Sequence, residues 1–406
     1  MIKKASIIAL LICLWLTLLS PGVVQAKSGL TILNNSTQAE FPTKLSFNLS
    51  VEGDVNITDI RLHYTVDQMS FARVTSEVYI NFEPATSVDA KWTWDMRMAG
   101  GLPPGSNVDY WWTVEDTSGN NVKTAPVQVQ FDDNRYPWRS VTENKVTLYW
   151  YEGEESFARE LLVAAQQALA RLAADTGAEL DKPVKIYIYA STGDLQDAMI
   201  SPREWTGGVT FTRYGIIAIG ISPSNRQWGK RAIAHELAHV VTNQVTFNPY
   251  SGLPIWLSEG LAMYAEGELA PESRSYLNKA IAEGSLLSVR SLSSPFSAYA
   301  GESYLSYAQS YSLVEFLVSS YGQGKMLELL ETFKQGSSYD GALEKTYGFD
   351  MDGLDGRWRN YVAVLTQPVG EEGMSPVIIG VIAGLATALL LVLGLVAESW
   401  AWRRGW

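Results

Sequence analysis

His235-Glu236-Leu237-Ala238-His239, followed by Trp256-Leu257-Ser258-Glu259-Gly260, is the stretch on which the reading of this chain turns. On a helix, positions i and i+4 share one face a turn apart, so both imidazoles can reach a single ion. Glu236 then stands about 100° around the axis, beside that ion. From there its carboxylate can take a proton from a water whose pKa a metal has lowered. Three protein ligands and one open position describe a catalytic zinc.

The flanking residues support two helices. Ser224-Asn225-Arg226-Gln227 reads as a capping box, and Ile233, Leu237, Val240 and Val241 form an apolar stripe at helical spacing. Gly252-Leu253-Pro254 offers a loop with proline at a helix start, and the run from Ile255 to Glu266 carries Glu259, with Ala262, Met263 and Glu266 one turn on. Two helices would thus converge on one metal. Two blander readings compete. If the histidines were ordinary core residues, the glutamate on the second apolar helix would be left buried and uncompensated, which is costly. A structural zinc would want four protein ligands, often cysteines, whereas the one cysteine, Cys13, lies in an apolar N-terminal stretch.

HELAH, nineteen further residues and the glutamate of WLSEGLAMY resemble the gluzincin metallopeptidases of the peptidase MA-like superfamily, over residues 140–366. The resemblance implies an α+β, thermolysin-like zincin catalytic domain. It also implies one Zn2+ ion held by His235, His239 and Glu259, with Glu236 as general base. The sequence departs from thermolysin-like enzymes in two places. Met263 stands where they carry an aspartate, and the only remaining histidine, His63, lies far upstream instead of downstream. An oxyanion donor must then be a tyrosine. Tyr304, Tyr307 and Tyr311 fall in the helical segment Ser303 to Gly322, and Tyr307-Ala308-Gln309-Ser310 is loosely similar to the Tyr-x-Lys-Gly segment of one-zinc aminopeptidases. Tyr307 is the first choice as catalytic phenol and Tyr311 the second, against the alternative that these tyrosines simply pack a helix interface.

Upstream of the zinc motif, Phe157, Leu161, Leu162, Ala165, Leu169 and Leu172 predict an amphipathic helix over residues 155–174, stopped at Gly177. Val184 to Tyr189, Gly208 to Phe211 and Ile216 to Ile221 read as strands of a small mixed sheet, whose edge strand suits backbone pairing with an extended peptide. Downstream, Lys325 to Lys334, Asp340 to Tyr347 and Asp352 to Leu365 read as helices, and Ser293-Ser294-Pro295 as a loop. Residues 29–133 alternate in short runs separated by turn residues, as in Lys44 to Leu49 and Asp109 to Val114. An N-terminal immunoglobulin-like β-sandwich without a disulfide is expected there. Trp92, Trp94, Trp111 and Trp112 suit its core or, alternatively, a carbohydrate- or peptide-binding face.

The two ends carry addresses. Lys3-Lys4, an apolar run and Val24-Gln25-Ala26 spell a signal peptide over residues 1–26. Residues 367–375 read as a linker, and 376–397 hold 22 residues without a charge, enough to cross about 30 Å of hydrocarbon as a transmembrane helix. Residues 398–406, with Trp400, Trp402, Arg403 and Arg404, form a cytoplasmic tail by the positive-inside rule.

The expectation is therefore a multidomain, single-pass cell-membrane protein with its catalytic domain extracellular. It would hydrolyse peptide or protein substrates, and membrane attachment would run through the C-terminal helix. A net charge of −12 disfavours nucleic acid as a partner. The oligomeric state is left open. The alternative function is a cell-surface binding or adhesion protein whose zincin domain is non-proteolytic; an intact Glu236 speaks against it.

Overall fold

The computed structural model describes residues 29–202, 207–297 and 300–365. The expected signal peptide, linker, transmembrane helix and tail lie outside the described residues. Among the described residues no helix is long and apolar enough to cross a membrane. The chain divides into two compact units, one holding residues up to 174 and 178–250, the other residues 175–177 and the chain from 251 onward.

The first unit opens with seven antiparallel strands: β1 (Leu30–Glu40), β2 (Lys44–Val66), β3 (Ser76–Tyr79), β4 (Ala85–Asp95), β5 (Ser106–Asp116), β6 (Asn121–Lys123) and β7 (Val127–Phe131). β2 is shared. Its first half pairs with β1 and β4, its register shifts between Glu52 and Ile57, and its second half pairs with β3 and β5. A bulge of this kind bends the strand and increases its twist. Phe47, on the first half, accordingly lies edge-on to Tyr110 of β5 at 5.0 Å. Alternation sets the core: Leu45, Phe47, Leu49 and Val51 are buried, as are Val108, Tyr110, Trp112 and Val114. Trp92 and Trp94 pack against that core, whereas Trp111 points to the opposite face and stacks on His63 at 5.5 Å. The seven strands form one antiparallel sheet around one core, which bears out a β-rich N-terminal region and not the finer expectation of an immunoglobulin-like sandwich.

A second sheet follows, ordered β11-β12-β10-β9-β8, with β8 (Arg139–Glu143), β9 (Val146–Trp150), β10 (Val184–Tyr189), β11 (Gly208–Phe211) and β12 (Ile216–Gly220). β9, β10 and β12 run parallel, while β8 and β11 are antiparallel edges. Successive residues of β10 face opposite sides. Ile186 and Ile188 join a cluster with Phe157, Leu161 and Ala165 of α1 (Glu155–Thr176) and with Ile233, Leu237 and Val240 of α3 (Arg226–Thr246). Tyr187 and Tyr189 join the core of the first seven strands. Asp133, fully buried, ties this junction by accepting from Tyr189 Oη at 3.0 Å and from Arg135 Nε at 2.8 Å. The short helix α2 (Thr192–Gln196) is capped by Ser191.

The capping box expected at Ser224 to Gln227 does not form. α3 starts at Arg226 after Asn225, which makes no side-chain cap bond, and the Ser224 hydroxyl pairs with that of Ser222 at 2.8 Å. Arg226 is instead held by the Pro223 carbonyl and by Glu160 of α1.

The second unit is helical: α4 (Ile255–Glu266), α5 (Pro271–Glu283), α6 (Ala300–Lys334), α7 (Tyr339–Tyr347) and α8 (Met351–Leu365). α6 is broken at Gly322, whose φ of 82° leaves the helical region where only glycine is at ease. Gly260 of α4 has a different use. A Cβ there would meet the Ser310 carbonyl and Val314, so the glycine after Glu259 lets α4 lie directly on α6. Buried Gln309 of α6 pins the preceding loop by bonding both the N–H and the carbonyl of Leu287. Trp358 of α8 donates to Ser312 at 3.1 Å.

Candidate active site

α3 has two faces. Ile233, Leu237 and Val240 are fully buried against the sheet, and Val241 is buried as well, as the apolar stripe predicted. His235, Glu236 and His239 are half-buried on the other flank, and the two imidazole centroids stand 5.0 Å apart. That is the one-turn separation that i and i+4 produce. Gly229 lets the helix approach the sheet, since a Cβ there would strike Ile221.

The sheet edge sets Glu236. In the β11–β12 register Gly208 lies opposite Ile219 and Thr210 opposite Ile217. Directly opposed residues share a face, and Ile217 and Ile219 belong to the cluster under α3. Thr210 therefore reaches the helix. Its hydroxyl donates to Glu236 Oε2 at 2.5 Å and lies 3.1 Å from the Glu236 backbone carbonyl. Glu236 Oε1 sits over Gly208, where a Cβ would come within 3.1 Å. Thr210 was not singled out by its sequence. The available signal was the pair Gly207-Gly208 opening an edge strand, which marks a close approach of backbone and side chain.

Glu259 lies on α4, half-buried and followed by the close-packing Gly260. Among the described residues, His235, His239 and Glu259 are the group whose ligand atoms all lie within 4.8 Å of one another. Two imidazoles and one carboxylate are the donor set zinc accepts with a position left open, so the residues fit the ion.

The three tyrosines differ. Tyr304 is exposed and stacked on Tyr276. Tyr311 is buried, its hydroxyl donates to Glu315 at 3.4 Å, and burial pushes its pKa up to about 12. Tyr307 is half-buried and edge-on to Phe296 at 5.1 Å.

Residues 164–364 match the Peptidase MA superfamily. No curated protein matches the chain. Among solved structures, the M1 zinc metallopeptidase from Deinococcus radiodurans is 12% identical with a TM-score of 0.33, over 86% of this chain and 97% of that one. Legionella pneumophila aminopeptidase A, solved in complex with aspartic acid, is 12% identical with a TM-score of 0.38, over 82% of this chain and 50% of that one. A beta-1,3-glucan binding domain of carbohydrate-binding module family 56 is 15% identical with a TM-score of 0.16, over 24% of this chain and 95% of that one.

Proposed function

We propose that the protein is a zinc metallopeptidase, in keeping with the match of residues 164–364 to the Peptidase MA superfamily, and that it hydrolyses peptide bonds outside the cytoplasm, anchored by residues 376–397. His235, His239 and Glu259 hold one zinc ion, and Glu236 is the general base. The observation that carries this reading is the clustering of those three ligand atoms beside a glutamate already fixed in orientation.

When bound, zinc would supply a Lewis acid for the scissile carbonyl and lower the pKa of water toward neutrality. Glu236 Oε1, the oxygen not held by Thr210, takes the proton from the attacking water and hands it to the leaving amine. The substrate backbone adds to β11, the outermost strand of its sheet among the described residues, by backbone pairing with an extended peptide. Tyr307 is the preferred oxyanion donor, because the phenol of Tyr311 is buried and committed to Glu315.

The test is the full chain in detergent, loaded with zinc and incubated with a diverse peptide library, with Glu236→Gln as its matched control. Cleavage that needs Glu236 establishes the peptidase and its side-chain preference. A zinc-loaded chain that cleaves nothing sinks the proposal in favour of a non-proteolytic surface role. In elemental analysis His239→Ala and Glu259→Ala should each lose stoichiometric zinc, and full zinc in both would refute the ligand set.

A further inference from the structure

We infer that Thr210 is a positioning residue for the general base: it fixes Glu236 from the sheet edge that a substrate strand would extend. The inference rests on the assignment of Glu236 as base. It begins with a contact between two residues 26 positions apart in the chain, Thr210 Oγ1 to Glu236 Oε2 at 2.5 Å. A hydroxyl-to-carboxylate bond of that length is in the short, charge-assisted range, about twice as strong as a neutral one.

The two partners differ in freedom. Glu236 is a half-buried helix residue, and its long side chain gives up rotamer freedom when fixed. Thr210 is β-branched, stiff at its first torsion and seated opposite wholly buried Ile217. The strand therefore dictates where the hydroxyl is, and the hydroxyl dictates where the carboxylate is. Gly208 completes the arrangement by leaving open the space beside Oε1, which any side chain at that position would narrow. One oxygen is thus held and the other faces a clear approach. That asymmetry suits a base that must meet a water in one geometry, because misplacement of about 1 Å can cost a hundredfold in rate.

Thr210 touches no reacting atom in this scheme. It acts through Glu236, so its removal should change how fast the bound substrate reacts while leaving how tightly it binds. A merely structural threonine would instead move stability, or zinc content and KM along with turnover.

The experiment compares Thr210→Val, which keeps the shape and loses the hydroxyl, with Thr210→Ser, which keeps the hydroxyl. Both are made in the full chain and loaded with zinc. Thr210→Val should retain one zinc and the parent melting temperature, lose about 10- to 100-fold in kcat and keep KM within about twofold, the range typical of partners that orient an active-site group. Thr210→Ser should recover most of that loss. The second readout needs no turnover: calorimetric binding of acetohydroxamate, which chelates zinc and requires a neighbouring acceptor for its proton. Its affinity should fall about tenfold in Thr210→Val and be restored in Thr210→Ser.

Parent-like kcat and acetohydroxamate affinity in Thr210→Val would overturn the inference. So would a Thr210→Ser variant no better than Thr210→Val, or a loss confined to KM. If the parent itself cleaves no peptide, the proposed function fails, while the acetohydroxamate comparison still decides whether Thr210 sets Glu236.

Discussion

β11 and β12 are hydrogen-bonded neighbours, yet every residue of β12 is buried and every residue of β11 is partly exposed. The cause is what lies on each side. β12 has β10 on one edge and β11 on the other. Its Ile217 and Ile219 pack under α3, while Ile216 and Ala218 face the tyrosines of the first core. Among the described residues β11 has a neighbour on one edge alone, and it carries two of its four residues, Gly208 and Thr210, against the Glu236 carboxylate. The sheet therefore changes from scaffold to site across a single strand spacing of about 4.8 Å. The same division cuts through α3, where Leu237 is core and its neighbour Glu236, half-buried, is the proposed base.

The sharpest way to break this comparison is at α3. Glu236→Gln should reduce kcat by about 10²–10⁴-fold, on the order of 3–5 kcal/mol of barrier, with zinc content and melting temperature unchanged. Leu237→Ala, the next residue, should do the reverse: about 2–5 kcal/mol less stability in denaturant titration, with turnover per folded molecule preserved. If Glu236→Gln unfolds the chain, or Leu237→Ala abolishes turnover while folded, the two faces are not separable. Ile217→Val, directly opposite Thr210 on the buried strand, sharpens the comparison at a smaller scale. It should cost about 0.5–1.5 kcal/mol of stability and leave kcat alone.

Much of this division could be read from the sequence wherever the signal was local. The apolar stripe of α3 and the bounds of α4, β10 and β11 follow from spacing within a few residues, and the continuous Ile216 to Ile221 run already marks a strand covered on both faces. α5 left no such mark. Among its residues Leu277 and Ala280 are the buried ones, too few to show a period, and it is delimited instead by Pro271 and by Gly284 at a φ of 63°. β8 and β9 also went unread, although Val146 to Trp150 alternates between buried and half-buried positions. The capping box failed because a serine hydroxyl two residues away, on Ser222, competed for Ser224. Least legible was Thr210. A bond across 26 residues depends on register, and register belongs to the assembled sheet, so no window of sequence around Glu236 contains it.

Trp111 of β5 offers the smallest effect, and beside Trp112 it is the cleanest control on alternation, because two identical side chains adjacent in sequence fall on opposite faces. Trp112 is fully buried and donates its indole N–H to Asn35 Oδ1 at 3.2 Å. Trp111 stacks on His63 and lies under Lys123 Nζ, 5.1 Å from its ring centroid. Trp112→Ala should therefore cost about 3–5 kcal/mol, the range for emptying a large aromatic site in a packed core. Trp111→Ala forfeits a surface stack and a partly exposed cation–π contact worth about 0.5–1 kcal/mol, in a region where water can refill the space. Denaturant melts of the two variants measure the ratio. Equal losses would mean that the outer face of β5 is as tightly covered as the inner one, and Trp111 would then have to be reread as core. A loss at Trp111 too small to resolve, beside an intact fold, would leave its ring as a surface group that the protein carries at little cost to stability.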